Sequence, residues 1–272
     1  MRTLVWCEAR KILHSRALYL MLVASVAFTA LTALSPADTG GQMFMMAGDP
    51  FRIGGAIGFI GNVVDPERIG ASAIRTSFLF TPFWLPVVIV FTVHMLSADF
   101  LSKSMAVSKA KGVGLGKTVF VKITMIFASV GLCYSASCAA SFAIKANEYG
   151  AVLSPADFGL LFEALGTNVL LLCALSCQTA LLFLLLRRQL PSVLGSLFYT
   201  AYVLVGYPAS YGLSGEGVFG SLIFAASPAY HLINVSSLSF EAIPLLWGVA
   251  YGTAAIVIAL GCAVAAANVR EV

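Results

Sequence analysis

Residues 164–186 read ALGTNVLLLCALSCQTALLFLLL, an uncharged run bounded by Glu163 and Arg187. A hydrocarbon core about 30 Å thick needs roughly 20 helical residues to span it. Lipid offers no hydrogen-bond partner to a bare backbone amide, so such a run must be helical. Other uncharged runs of more than 20 residues cover 17–37, 76–98, 123–144, 189–215 and 242–269. The sequence therefore predicts an all-α polytopic membrane protein with six transmembrane helices.

The composition agrees with a membrane protein. Hydrophobic residues make up 60% of the chain and charged residues 10%, well below the roughly 25% of a soluble domain. Six spans and their loops use up 272 residues, so we expect one transmembrane domain over 1–272. This leaves no room for a soluble catalytic domain. We expect no catalytic, cofactor-binding or metal-binding residue, because Cys173 and Cys177 share a helix face without nearby histidines or carboxylates.

The distribution of charge predicts the orientation in the membrane, because Lys and Arg in short loops mark the cytoplasmic side. With six spans and a cytoplasmic N-terminus, the inner segments hold 12 of the 16 basic residues. Both termini are then cytoplasmic, and the net charge of +4 gives no reason to expect a nucleic-acid partner. Residues 217–240 are also uncharged, which leaves a seventh span open. They are rich in Ser, so we prefer an outer re-entrant segment, 214–240, broken at Pro228.

Two cytoplasmic segments are candidates for a docking surface. Residues 2–15 suit an amphipathic helix at the membrane interface, although a simple basic flank would also orient the first span. Its apolar side would carry Leu4, Val5, Trp6, Ile12 and Leu13, and its polar residues are Arg2, Glu8, Arg10 and Lys11. Residues 97–117, SADFLSKSMAVSKAKGVGLGK, predict a short helix capped by Ser97 or Asp99 and ended by Gly112, Gly114 and Gly116.

Three other patterns invite a catalytic or transport interpretation. The stretch GVGLGKT at 112–118 lacks the first glycine of a phosphate loop, since Lys111 stands there. Ser214, in a G-x-S-G pattern, would need a base such as His231 for protease chemistry, and a plain turn explains it better.

His94 lies near Asp99 at the inner end of span two. We expect no buried charged residue within a span, which argues against proton- or sodium-coupled transport.

The whole six-span layout and, most specifically, the first inner loop carry a resemblance to a known family. Glu8 and Lys11 form an E-x-x-K-like start, and an outer helical break separates spans five and six. The inner loop carries Asp99-Phe100, Ser104, Gly112, Lys117 and Lys122 at matching spacings. This layout resembles the permease subunits of type-2 ATP-binding-cassette (ABC) exporters, in the compact bacterial class that includes bacteriocin and lantibiotic export or self-immunity permeases. Lys103 and Ser104 replace the Gly-Thr pair usual in that loop.

The resemblance implies that residues 99–112 form a coupling helix seated in a groove of a separate ATPase dimer. The coupling residues would be Asp99, Phe100, Lys103, Ser104, Lys109, Lys111 and Gly112, flanked by Trp6, Glu8, Arg10 and Lys11. ATP and Mg²⁺ would bind to the ATPase and not to this chain.

It also implies that a second copy, or a homologous permease, completes a pathway across the bacterial cytoplasmic membrane. The cargo would be amphipathic, lipid-like or drug-like. The alternative is an ATP-independent membrane immunity or sensor protein.

Overall fold

The computed structural model describes residues 2–35, 42–46, 58–61, 64, 68–101, 112, 114–206, 226–237 and 242–269. The helices are α1 Arg2–Leu13, α2 Arg16–Leu34, α3 Ile69–Ser77, α4 Thr81–Leu101, α5 Leu115–Glu148, α6 Pro155–Leu186, α7 Gln189–Ala201, α8 Pro228–Ser237 and α9 Ala242–Val269. A π-helical segment, Tyr202–Gly206, continues α7. Among the described elements, α6 is central, because it contacts α3, α4, α5, α7, α8 and α9.

Small hydroxyl residues join α2 to α5. The hydroxyl of Ser25 donates to the carbonyl of Cys133 at 3.2 Å, and that of Ser137 donates to the carbonyl of Ser25 at 3.2 Å. The Thr29 and Ser137 hydroxyls lie 3.0 Å apart. Residue numbers rise together along the two helices, so they run parallel. In lipid the hydrophobic effect does not pull helices together, and such bonds and close packing hold the pair.

The second predicted span, residues 76–98, is divided between two helices near its beginning. Helix α3 ends at Ser77, and α4 begins at Thr81 after a turn over residues 78–80. Within α4, Pro86 lacks the amide that would bond to the carbonyl of Pro82. The hydroxyls of Thr81 and Tyr134 lie 2.9 Å apart, so the start of α4 packs against the middle of α5. Helix α4 then runs antiparallel to α5, toward the beginning of that helix.

The ends of α6 are set by local sequence. Ser154 and Asp157 form a reciprocal capping box, and Pro155 occupies the first turn, where its missing amide costs nothing. Arg187 takes a left-handed conformation with φ of 52° and ends the helix. Asp157 also fixes the approach of α3, since a Cβ at Gly70 would lie 2.7 Å from its carboxyl carbon.

A glycine pair brings α9 close to α6. A Cβ at Gly248 would lie 2.8 Å from Cγ2 of Thr167, and one at Gly252 would lie 3.0 Å from Cδ2 of Leu170. The two glycines are four residues apart on one face of α9, the spacing of a small-residue helix contact in membranes. Helix α9 packs against α6 more extensively than any other described pair of elements.

Helix α8 runs antiparallel to α6. The hydroxyl of Ser236, near the end of α8, donates to Oδ1 of Asn168 at 3.4 Å. At its beginning, the Ala226 carbonyl accepts from Tyr251, which also binds Gln178, ten residues further along α6. Helix α8 is buried, with Ala229, Leu232 and Ile233 shielded from solvent. Helix α8 therefore packs inside the bundle.

A two-stranded hairpin was not expected from the sequence. Strands β1 Gln42–Met46 and β2 Gly58–Gly61 pair antiparallel, with an irregularity between Gln42 and Phe44. Strand β2 contacts α3 and α8. The sequence predicts that the apolar, glycine-rich stretch 53–64 either dips against the outer interface or packs on the spans, and β2, which lies within it, packs against α3 and α8.

Five helices of the described residues are long and apolar enough to cross a membrane. They are Arg16–Leu34, Ile69–Ala98, Leu115–Glu148, Pro155–Leu186 and Leu245–Ala267. The second of these takes α3, the turn at 78–80 and most of α4 together as one candidate span. These helices confirm an α-helical, multi-pass membrane protein.

The span boundaries differ from the sequence-based expectation, which ended spans at charged residues. Arg75 lies inside α3, and Lys122 and Lys145 lie inside the 34-residue α5. The expectation that no span holds a buried charged residue is wrong for α5, since both lysines are at most 1% exposed. A charge therefore does not have to end a helix when protein groups pair with it.

Filling the glycine contact should destabilise the bundle. Replacing Gly248 with Val would force Cβ against Thr167 and Val235, and overpacking of this kind costs about 1–3 kcal/mol. We expect a lower melting temperature for Gly248→Val in detergent, followed by intrinsic fluorescence and gel filtration.

Gly261, also on α9, is the matched control, because a Cβ there would meet no atom within 4 Å. Gly261→Val should melt close to the wild type. Equal melting temperatures for the two variants would contradict the glycine contact.

Candidate functional site

Helix α1 has two different faces. Glu8 and Ile12 are buried, at 1% and 2% exposure, and the helix contacts α5. On the opposite face, Trp6 is 71% exposed and Leu13 is also exposed. An indole and a leucine on the exposed side of a helix suit the boundary between lipid headgroups and hydrocarbon. Helix α1 therefore packs against the bundle by one face and exposes apolar side chains on the other.

The buried face of α1 contains an ion cluster. Oε1 of Glu8 lies 2.6 Å from Nζ of Lys11, and Oε2 of Glu8 lies 3.5 Å from Nζ of Lys122. Glu8 and Lys122 are each 1% exposed, whereas the Lys11 side chain is 43% exposed. A buried carboxylate needs a cation to offset its lost hydration. The cluster therefore ties α1 to the second turn of α5.

The sequence predicted part of this cluster. The E-x-x-K pair of Glu8 and Lys11 is present as a contact. The sequence groups Glu8 with the polar residues of α1, whereas the structure buries Glu8 against α5. Lys122 was missed as its partner, since it was interpreted as a boundary of span three. A single acid in a basic segment is the signal that could have pointed to a buried partner.

The predicted coupling loop is described only at its two ends. Phe100 packs edge-on against Phe183, with ring centroids 5.4 Å apart. Gly112 has φ of +77°, a conformation that favours glycine and suits the end of a short helix. Arg10 is exposed on α1. The side chain of Asp99 lies outside the described residues, and so do Lys103, Ser104, Lys109 and Lys111.

Both ends of this loop lie at the same end of the bundle as the ion cluster. Nε2 of Gln189, at the start of α7, donates to the hydroxyl of Ser97 at 2.5 Å. Phe183 is in the last turn of α6, and Lys122 is in the second turn of α5. The turn at Arg187 and Arg188, helix α1 and the end of α4 at Phe100 therefore lie at one end of the bundle.

The histidines singled out in the sequence are in different surroundings. His94 is exposed on α4. His231 is 8% exposed, and its ring stacks on that of Tyr251 with centroids 4.2 Å apart. Tyr251 accepts from Nε2 of Gln178 at 3.1 Å and donates to the carbonyl of Ala226 at 2.5 Å. His231 therefore belongs to a cluster that fixes the start of α8, and Ser214 lies outside the described residues.

The opposite end of the bundle has its own buried cation. Nζ of Lys145 donates to the carbonyl of Ser35 at 2.5 Å and to Oε2 of Glu148 at 2.6 Å. It also lies 5.8 Å from the ring centroid of Tyr149. Burial raises the pKa of Tyr149, so its phenol stays protonated near Thr76. Lys145 thus satisfies a carbonyl that the end of α2 leaves without a helical partner.

The described residues hold no group of three or more His, Cys, Asp or Glu side chains placed to bind a metal ion. Cys173 and Cys177 are buried free thiols on α6. They behave there as small apolar residues.

Comparison with known proteins gives no relative. No protein-family model matches the chain, and neither a curated protein nor a solved structure matches it.

Breaking the ion cluster should loosen α1. Glu8→Ala takes the carboxylate away from the buried Lys122, and losing one member of a buried pair costs about 3–5 kcal/mol. We expect a clear fall in melting temperature in detergent. The double variant Glu8→Ala, Lys122→Met should recover at least half of that fall, because it leaves no buried charge at the contact.

Arg10→Ala, which removes an exposed charge on the same helix, serves as the control and should melt as the wild type does. A similar fall for Arg10→Ala and Glu8→Ala would contradict the ion cluster, and so would a double variant no more stable than Glu8→Ala.

Proposed function

We propose that this chain is the membrane-spanning permease subunit of a bacterial ABC exporter. It moves an amphipathic peptide, lipid-like or drug-like substrate across the cytoplasmic membrane. A separate ATPase dimer binds ATP and Mg²⁺ and supplies the energy. This chain contributes no catalytic residue, and a second copy or a homologous permease completes the pathway.

The proposal includes six spans with both termini in the cytoplasm. In chain order, span five is α7 together with Tyr202–Gly206, 18 residues from Gln189, or about 27 Å at 1.5 Å per residue, and span six is α9. Helix α8 is then the outward half of a re-entrant segment between spans five and six. Arg187, Arg188 and the basic residues of α1 mark the cytoplasmic end.

The observation that carries the proposal is the buried pairing of Glu8 with Lys122. This contact attaches an interfacial helix to the span that follows the 102–111 segment. A motor that pushes on that segment would therefore act on α1 and α5 together. The edge-on packing of Phe100 on Phe183 adds a connection from the loop to the central α6.

The mechanism follows from this arrangement. Binding of ATP closes the ATPase dimer and brings the two coupling segments toward each other. Asp99, Phe100, Lys103, Ser104, Lys109, Lys111 and Gly112 transmit this movement from each groove of the ATPase. This movement shifts the equilibrium of the spans between inward-facing and outward-facing states. The size of the shift equals the difference in free energy with which the ATPase binds the two states.

Affinity purification of the chain in mild detergent tests the proposal. We expect a stoichiometric ABC ATPase to copurify with the wild type, identified by mass spectrometry. The triple variant Lys103→Gln, Lys109→Gln, Lys111→Gln should retain at least tenfold less ATPase, because it removes three positive charges from the docking segment.

Arg68→Gln removes a charge at the other end of the bundle and should retain the ATPase fully. Purification of the wild type without any ATPase, in conditions that preserve other exporters, would favour an ATP-independent immunity or sensor protein. Equal retention by the triple variant and the wild type would exclude the loop as the docking segment.

A further inference from the structure

A groove opens between α6 and α9 near the beginnings of both helices. Its volume is about 600 Å³, within the range of pockets for small molecules. Phe162, Glu163 and Gly166 line it from α6, and Leu245, Leu246 and Val249 line it from α9. The glycine contact at Gly248 closes it on one side, because the helices approach most closely there.

Glu163 is the one charged residue in the lining of this groove. Within the described part of the chain, no Lys, Arg or His lies within 4.0 Å of its carboxylate. Its backbone carbonyl accepts from the hydroxyl of Thr167 at 2.8 Å, and Glu163 itself is exposed. The apolar walls of the groove lower the local dielectric constant on one side of the carboxylate, so it attracts a cation more strongly than a carboxylate surrounded by water does.

The groove is open toward the surroundings of the bundle. Phe162 and Leu246, on its two sides, are 68% and 71% exposed. In a membrane such side chains face lipid, so a ligand reaches the groove from within the bilayer. A Cβ at Gly166 would meet no atom within 4 Å, so this glycine leaves the groove open where a larger side chain would fill it.

The size of the groove limits the apolar part of a ligand. The lining extends from Phe162 to Thr167 and from Leu245 to Val249, which is roughly 6–8 Å along the helix axes. This length suits a short apolar group or a ring better than two long acyl chains. The charge and the size together favour a small amphiphile over a bilayer phospholipid.

We propose that this groove binds a small cationic amphiphile. Its ammonium group pairs with the Glu163 carboxylate, and its apolar part packs against Phe162, Leu245 and Val249. This binding needs no ATPase and goes beyond the proposed transport function. The groove proposal and the transport proposal are therefore tested independently.

Direct binding to the full chain tests the groove. The chain is reconstituted in nanodiscs of zwitterionic lipid and titrated with a fluorescent short-chain alkyltrimethylammonium probe. A sulfonate with the same tail and fluorophore is the matched probe of opposite charge. We expect saturable binding of the ammonium probe, and at least tenfold weaker binding of the sulfonate.

Two variants test the two features of the groove. Glu163→Gln keeps the shape and removes the charge, so the affinity for the ammonium probe should fall at least tenfold. Gly166→Leu fills the groove and should abolish saturable binding, whereas Gly261→Leu on α9 should leave it unchanged. Gel filtration and melting temperature establish that each variant is folded.

The proposal is overturned if Glu163→Gln binds within twofold of the wild type, or if the sulfonate binds as well as the ammonium probe. Unchanged binding in folded Gly166→Leu would also overturn it, because the ligand would then lie elsewhere. If Gly166→Leu does not fold, Val249→Trp fills the same groove from α9 and decides the point.

Discussion

The hydrocarbon core of a membrane leaves backbone amides and carbonyls without water, and the described architecture follows from that constraint. Each span must satisfy its backbone groups internally, so long helices form even where local sequence is unfavourable. Helix α4 keeps its course through Pro86, and α5 continues for 34 residues through Lys122 and Lys145. Backbone groups at the helix ends have no partner within the helix and need one elsewhere. Ser154 and Asp157 cap the amides at the start of α6, Lys145 donates to the carbonyl of Ser35 after α2, and the amide of Arg187 bonds to the Phe183 carbonyl at the end of α6.

Association of the helices needs a different source of stability, because lipid tails are as apolar as leucine. Small and polar residues supply it here. Hydroxyls bridge α2 and α5, glycines bring α9 onto α6, and the Glu8–Lys122 pair anchors α1. Each of these contacts is short and specific, and each joins elements far apart in sequence. Exposed leucines and valines on α2 and α9 face outward, where they match the lipid.

Uncharged runs longer than a bilayer predict spans well, because the cost of an unpaired charge in lipid is large. The same reasoning misplaced the ends of the second and third spans, since it treated each charged residue as unpaired. Arg75, Lys122 and Lys145 are shielded by the fold itself, and pairings such as Glu8 with Lys122 join residues more than a hundred positions apart. No local pattern encodes such a pairing. The hairpin at Gln42–Met46 and Gly58–Gly61 was missed for a related reason, because its two strands are short and separated by 11 residues.

Helix α6 connects the end of the predicted coupling loop, at Phe100, with the groove that Glu163 lines. Phe183, which packs against Phe100, and Glu163, which faces the groove, are 20 residues apart on it, or roughly 30 Å along a continuous helix. The closest contact with α9, near Thr167 and Leu170, lies between them and much nearer to Glu163. A tilt of α6 about this contact would move the Phe183 end by the larger distance and the groove end by the smaller one. Movement at the Phe183 end would thus change the width of the groove, provided that α6 has two stable packings against α9.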